Sequence, residues 1–167
     1  MCDVQVFRVD DDMKTSKRAM DLVVSHFAQQ CSSKVSYQYG KHQVKEADYI
    51  ILASSTRSPT RSKVNKTKVC GFLLLQHNKT KKQAYIDVVC SNMRYGGRLI
   101  ARAENFASTE LHCNSIRLSA LPHVVTYYSN RHQYIQSNNP CATKPIIKRK
   151  GKKVNGYRMA KCIKTNI

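Results

Sequence analysis

Apolar and polar residues change their spacing several times along this chain, and each change marks an element. Near the start Val4, Val6 and Val9, with Phe7 beside them, predict a strand over residues 2–9. Asp10, Asp11 and Asp12 follow, where carboxylates accept hydrogen bonds from the first N–H groups of a helix and complement its dipole. Met20, Val23, Val24 and Phe27 recur at helical spacing and predict a helix ending near Gln30. Residues 35–39 read as a short second helix or an irregular strand, stopped by Gly40. The apolar runs 49–53, 69–76 and 84–91 predict three strands. The stretch 54–68 holds a proline, many hydroxyls, five basic residues and no acid, which predicts a flexible loop. Residues 77–83 predict a long basic hairpin.

The passage from 84 to 107 carries the densest signal. Tyr85, Ile86, Val88, Val89 and Cys90 suit a buried central strand, after which Leu99, Ala103 and Phe106, with Ile100 and Ala107 beside them, shift the period to about 3.6 residues. Between them stands Met93-Arg94-Tyr95-Gly96-Gly97-Arg98. Two glycines let the backbone turn tightly and approach a ligand, while the free N–H groups of a helix start, flanked by two arginines, suit a phosphate. A strand, a Gly-Gly turn and a helix also describe any tight connection of this type. Next come a strand from Ser115 and a short helix carrying Tyr127-Tyr128. Residues 136–141 have turn chemistry, 144–153 carry six basic residues, and 157–163 alternate as a closing strand. The order is β-α-β-β-β-α-β-α-β-β, with an uncertain element near Val35.

A chain of 167 residues is the size of one domain and long enough to bury a core, so residues 1–167 are expected to form a single α/β (α+β) domain. Hydrophobic residues at 41% and charged residues at 23% are globular proportions. The charge is unbalanced: 29 Lys+Arg against 10 Asp+Glu, a formal +19, which favours polyanionic partners. No apolar run approaches the roughly 18 residues of a membrane span, and the acidic start is unlike a signal peptide, so an intracellular place, in cytoplasm or nucleus, is expected. Seven cysteines, Cys2, Cys31, Cys70, Cys90, Cys113, Cys141 and Cys162, are dispersed without a C-x-x-C pair and read as free thiols. His112-Cys113 is the only adjacent ligand pair, so no metal is expected.

The strand, phosphate turn and helix of 84–107, followed by Leu118-Ser-Ala-Leu-Pro-His-Val-Val-Thr-Tyr-Tyr128 and then His132-Gln133-Tyr134, resemble the two central motifs of the GNAT (Gcn5-related) N-acetyltransferases. The resemblance covers roughly 69–134. The family's acyl-CoA loop runs Gln/Arg-x-x-Gly-x-Gly/Ala. With Arg94 in first place, Gly97 falls on the first glycine and Leu99 on the second; with the helix as ruler, Ser91, Arg94 and Gly96 take those places. Family members follow the aromatic pair with Gly-Phe, where this chain has Gln133-Tyr134.

The resemblance implies a mixed, mostly antiparallel central sheet flanked by helices, in which two neighbouring parallel strands splay apart around acetyl-CoA. It implies main-chain hydrogen bonds from Val88, Val89 and Cys90 to the pantetheine arm, and a pyrophosphate on the turn Arg94, Tyr95, Gly96, Gly97, Arg98 and Leu99. Tyr128 aligns with the tyrosine that protonates the CoA sulfur, and its neighbour Tyr127 would face the core. Asp87 lies in the strand where some members carry a glutamate base, although out of its register; Glu46, Asp48 and Asp10 to Asp12 are alternatives. The implied activity is acetyl transfer from acetyl-CoA to an amine acceptor by direct attack in a ternary complex, without a metal. The alternatives are a catalytically degenerate domain of the same fold, or a basic protein that binds nucleic acid through the Lys/Arg runs at 57–68, 79–82 and 144–153.

Overall fold

The computed structural model describes residues 1–9, 14–31, 37–56, 67–92, 94–137, 141 and 157–163. The aspartate cluster at 10–12, most of the basic loop at 54–68, Met93 and the basic segment at 144–153 lie outside the described residues.

Strands β1 (Asp3–Arg8), β2 (Tyr49–Thr56), β3 (Thr67–Asn78), β4 (Gln83–Ser91), β5 (Ser115–Ala120) and β6 (Tyr157–Cys162) lie in one sheet in that order. The helices are α1 (Lys14–Gln30), α2 (Tyr37–Glu46), α3 (Gly96–Thr109) and α4 (Val125–His132), with a short 3-10 turn over Pro122–Val124 ahead of α4. The pairs β1–β2, β2–β3 and β5–β6 are antiparallel and β4–β5 is parallel, as a mixed, mostly antiparallel sheet requires. By internal packing the chain divides into two compact units, one of Met1–Gln76 with Asp87–Ala103, the other of His77–Ile86 with Glu104–Ile167.

The first unit is built on helices α1 and α2 against β1 to β3. Ala19, Val23 and Phe27 of α1 and Val44 of α2 pack with Ile50, Leu52, Val69, Phe72 and Leu74, and the Phe27 and Phe72 rings meet at 5.2 Å. From Val69 to Leu75 β3 is buried on both faces, which explains its unbroken apolar run. Helix α2 runs straight through Gly40, which was expected to stop it. The reason is packing: a Cβ there would sit 2.6 Å from the Phe27 ring, so the glycine lets α2 close onto α1.

Gly71 does the same for the sheet. A Cβ on it would lie 2.6 Å from Ser91 Cβ and 2.9 Å from the Cys90 carbonyl oxygen, so only glycine lets the end of β4 settle there. The Asn92 N–H closes that end by donating to the Cys70 carbonyl at 3.2 Å.

In the second unit β5 is paired on both sides, with β4 over Gln83↔Ser115 to Ile86↔Leu118 and with β6 from Ser115↔Cys162 to Ala120↔Tyr157. Ile116, Leu118, Phe106, Ala107, Met159 and Tyr134 are buried. Of the two closing strands expected, the described residues contain β6 and one isolated bridge, Ile135↔Ala160.

The cysteines overturn an expectation. Cys2 pairs with Cys70, Cys31 with Cys90 and Cys141 with Cys162, which leaves Cys113 as a buried free thiol. The partners stand 68, 59 and 21 residues apart and meet only through the fold, so spacing along the chain gave no sign of them. Disulfides persist in oxidising surroundings, so an intracellular place does not follow from these cysteines.

Replacing Gly71 with Ala should destabilise the protein by about 1–3 kcal/mol, because the methyl group must displace the backbone of β4 rather than a flexible side chain. Urea unfolding of the two proteins checks this, and an unchanged midpoint would show that the end of β4 can move aside freely.

Candidate active site

In the first unit the turn after β4 folds around Tyr95. Its N–H donates to the Asn92 carbonyl at 3.2 Å, and its own carbonyl accepts the Leu99 N–H at 2.9 Å, the first hydrogen bond of α3. Tyr95 is therefore the N-cap, and Gly96, Gly97 and Arg98 are the first three helical residues, whose N–H groups have no acceptor inside the helix. A tyrosine has no short side-chain oxygen to cap them, and no acidic residue stands in the first turn. The Tyr95 hydroxyl accepts the Cys2 N–H at 3.1 Å, and the Arg98 guanidinium lies 5.5 Å from the Tyr95 ring centre. Arg94 and Arg98 are exposed.

This geometry separates the residues expected to hold a pyrophosphate. Gly96, Gly97, Arg98 and Arg94 remain as donors. Leu99 does not: its N–H is spent on Tyr95 and its side chain is fully buried. The Tyr95 N–H is likewise engaged. Sequence motifs could not separate these positions, because the helix start, which decides them, is uncertain by a residue or two from pattern alone.

On β4, Val88 packs toward the α1 and α2 side with Cys90, whose sulfur is bonded to Cys31. Asp87 and Val89 point to the opposite face. Asp87 is half-buried, and its carboxyl is pushed up to about 6, first by loss of solvent and also by the neighbouring Asp48 carboxylate; a hydrogen bond from the Gln76 side chain pulls the other way. One of its oxygens, Oδ2, is buried without a hydrogen-bond partner. Asp48 is held in place by its backbone, which accepts the Val9 N–H at 2.8 Å and donates to the Leu75 carbonyl at 3.0 Å. The involvement of Gln76 was not foreseen, and no spacing rule links it to Asp87.

In the second unit Tyr127 of α4, expected to face the core, does not. Tyr128 is buried, at 8% exposure, and Tyr127 is exposed, at 41%. Burial, with Tyr127 beside it, pushes the Tyr128 phenol up to about 12. Its ring packs edge-on against Tyr134 at 6.0 Å, and Tyr127 shares a 3.2 Å hydrogen bond with His132 Nε2. Gln133 caps α4 in the left-handed conformation, φ 60°, where glycine is at ease and a glutamine is strained. This is the position at which the family pattern has glycine.

Behind α4 lies a group that sequence reasoning missed. Lys161 Nζ meets Glu104 Oε2 at 2.7 Å and stands 5.9 Å from the Tyr134 ring centre. Glu104 Oε1 and the Tyr134 hydroxyl are both buried without a hydrogen-bond partner. Burial first, then the Glu104 charge, raises the Tyr134 phenol far above its ordinary value. Burial also lowers His132, against the pull of Glu104 and with that of Lys161, so its imidazole is neutral at pH 7.

The Asp87 shift has a thermodynamic consequence. The folded carboxyl keeps its proton up to about pH 6 while the unfolded one releases it near 3.8, so the native state binds more protons in that window and stability falls as pH rises through it. Asp87→Asn should remove this fall, and the variant should be the more stable protein at pH 7 to 8. Urea unfolding from about pH 4 to 8 checks the sign; parallel curves for the two proteins would refute the shift.

No protein-family model matches the sequence, and no curated protein matches it. Solved structures do match the fold. The catalytic domain of the Tetrahymena Gcn5 histone acetyltransferase, in complex with coenzyme A, superposes with a TM-score of 0.62 at 14% identity, over 100% of this chain and 96% of its own. An acyl-CoA N-acyltransferase from Pseudomonas aeruginosa gives 0.61 at 18% identity, over 97% and 100%. A spermidine N-acetyltransferase from Vibrio cholerae gives 0.58 at 14%, over 96% and 94%. At such identities the likeness concerns architecture: the fold of this chain is that of the GNAT, or Gcn5-related, N-acetyltransferases.

Proposed function

We propose that this chain is an acetyl-CoA-dependent N-acetyltransferase that transfers the acetyl group to an amine by direct attack in a ternary complex. The observation that carries the reading is the course of β4. Its register with the parallel strand β5 is described as far as Ile86↔Leu118, the strand continues to Ser91, and the chain then turns into the uncapped start of α3.

In this reading the main chain of Val88, Val89 and Cys90 holds the pantetheine arm. The N–H groups of Gly96, Gly97 and Arg98 and the guanidinium groups of Arg94 and Arg98 hold the pyrophosphate. The donor set fits a dianion, since it combines helix-end N–H groups with two cations and no competing carboxylate in the first turn. Bound acetyl-CoA supplies an acetyl group activated as a thioester. Asp87, largely ionised at neutral pH, takes a proton from the amine and makes the nitrogen nucleophilic. Tyr128, whose pKa of about 12 keeps it protonated, holds the proton that the departing sulfur receives.

The neighbours named for histone and spermidine raise the question of a polycationic acceptor. A formal +19 repels a polycation and draws an anion, so an amine on a neutral or anionic molecule suits this chain better.

Isothermal titration with acetyl-CoA, followed by an assay of acetyl transfer to a panel of amines, tests the reading; binding without transfer would leave a degenerate domain of the same fold. Arg94→Gln with Arg98→Gln should weaken CoA binding by about 10- to 100-fold while leaving pantetheine, which lacks the pyrophosphate, unaffected. Equal losses for both ligands would remove the phosphate assignment. Tyr128→Phe should lower kcat by about 10- to 1000-fold with little change in CoA affinity, and Tyr127→Phe should not. Equal turnover in wild type and Tyr128→Phe would reduce Tyr128 to a packing residue.

A further inference from the structure

The turn between β3 and β4 plays no part in acetyl transfer, yet its composition and geometry call for an explanation. The second unit, His77–Ile86 with Glu104–Ile167, contains 14 of the chain's 29 Lys+Arg and only two of its 10 Asp+Glu, namely Glu104 and Glu110. The first unit has the remaining 15 and eight. Glu104 is already paired with Lys161. So large an excess of one sign opposes the compact state by self-repulsion, and a polyanion that neutralises it is bound favourably.

Three of these cations, Lys79, Lys81 and Lys82, are exposed within four consecutive residues of the turn. Among the described residues none of the three is paired with a carboxylate. Their backbone is held firmly. Asn78 Oδ1 accepts the Lys81 N–H at 2.9 Å, the Lys82 N–H donates to the Lys79 carbonyl at 3.2 Å, and the Lys82 carbonyl accepts the Asn114 N–H at 2.8 Å. Lys82 itself sits at φ 48°, a left-handed conformation that a glycine or asparagine would adopt with less strain. The turn therefore presents three ammonium groups from an ordered backbone, not from a slack loop.

We propose that this turn, with Lys79, Lys81 and Lys82, is a docking surface for the phosphate backbone of nucleic acid, bound without preference for sequence. Duplex DNA carries one negative charge per about 1.7 Å of its axis, and lysine contacts to phosphate position a protein without reading bases. The side chains within and next to the turn, Asn78, Thr80, Gln83 and Asn114, are hydrogen-bonding groups. A surface for anionic lipid would couple its lysines to apolar side chains that insert, and among the described residues none of the exposed large hydrophobic ones, Met1, Tyr39, Leu121 and Tyr127, belongs to the turn. The proposal goes beyond acetyl transfer and does not depend on it.

Fluorescence anisotropy with a labelled random-sequence duplex DNA and with a single-stranded RNA, across a range of salt, tests this on the full chain. Wild type should bind with log K falling linearly against log salt. The triple variant Lys79→Gln, Lys81→Gln, Lys82→Gln should bind every sequence at least about tenfold more weakly at low salt, with the slope on duplex DNA flattened by up to about 0.9 for each lysine that had met a phosphate. A loss on only one of the two nucleic acids assigns the surface to that one. The control is Lys14→Gln, Lys17→Gln, Lys41→Gln, which removes the same charge from exposed positions of α1 and α2 and should change affinity much less. Equal losses in the two variants would mean diffuse attraction to the whole chain and overturn the proposal, as would an unchanged slope in the first. Binding to phosphatidylserine vesicles that the first variant loses, without any nucleic-acid binding in wild type, would overturn it in favour of a membrane.

Discussion

The end of β4 can lie where it does only because Gly71 has no side chain. Cys90 and Ser91 occupy the space that a Cβ would take, Asn92 bonds back to Cys70, and from there the chain has only residues 92–95 in which to turn before α3 begins. That close approach sets the position of Tyr95, and Tyr95 sets which N–H groups of α3 remain unbonded. The Cys31–Cys90 disulfide fastens the same strand end to the end of α1. A cross-link over 59 residues stabilises by about 4 kcal/mol in the chain-entropy account. Packing and covalent constraint thus act on one short stretch of backbone, which is also the stretch proposed to hold the pantetheine arm and pyrophosphate.

Desolvation shifts both titratable groups of the proposed reaction, in different ranges. It raises Asp87 to about 6, high enough to give a useful base yet low enough to leave it largely ionised at neutral pH. It raises Tyr128 to about 12, so the phenol keeps its proton at neutral pH and is a weaker acid than an ordinary phenol. Neither needs a strong charge partner. This differs from the Glu104–Lys161 pair, a partly buried ion pair beside the Tyr134 ring, where removing either side would leave the other charge without its partner.

Periodicity made most of the elements legible. The helix with Val23 and Phe27 on its inner face, the doubly buried strand through Phe72, and the passage from Cys90 into the helix of Leu99 and Ala103 were all readable, because each buries a face at its own period. Gly40 was misread because a glycine that breaks a helix and a glycine that lets one helix approach another look alike in sequence; only the Phe27 ring distinguishes them. The cysteines were misread because their partners meet through tertiary structure. Asp87 was named as a candidate base from its strand, whereas Gln76, Glu104 and Lys161 were not named, since pairing across many residues leaves no local pattern. Tyr127 was wrongly placed in the core because the helix phase depends on where the 3-10 turn at Pro122–Val124 hands over to α4.

The departures from the family pattern fall where the proposed reading relies on backbone rather than on side chains. Gln133 occupies a left-handed cap that glycine would occupy with less strain, and α4 still ends there because the Gln133 N–H donates to the Ser129 carbonyl and the Tyr134 N–H to the Tyr128 carbonyl. Leu99 stands where a second small residue is expected in one alignment, and the structure makes that harmless by burying it and committing its N–H to Tyr95. A phosphate held by main-chain donors at Gly96, Gly97 and Arg98 asks little of the side chains around it beyond room and positive charge. Sequence motifs record side chains, so a site of this kind can drift far from its family's consensus while the geometry that would bind the ligand persists.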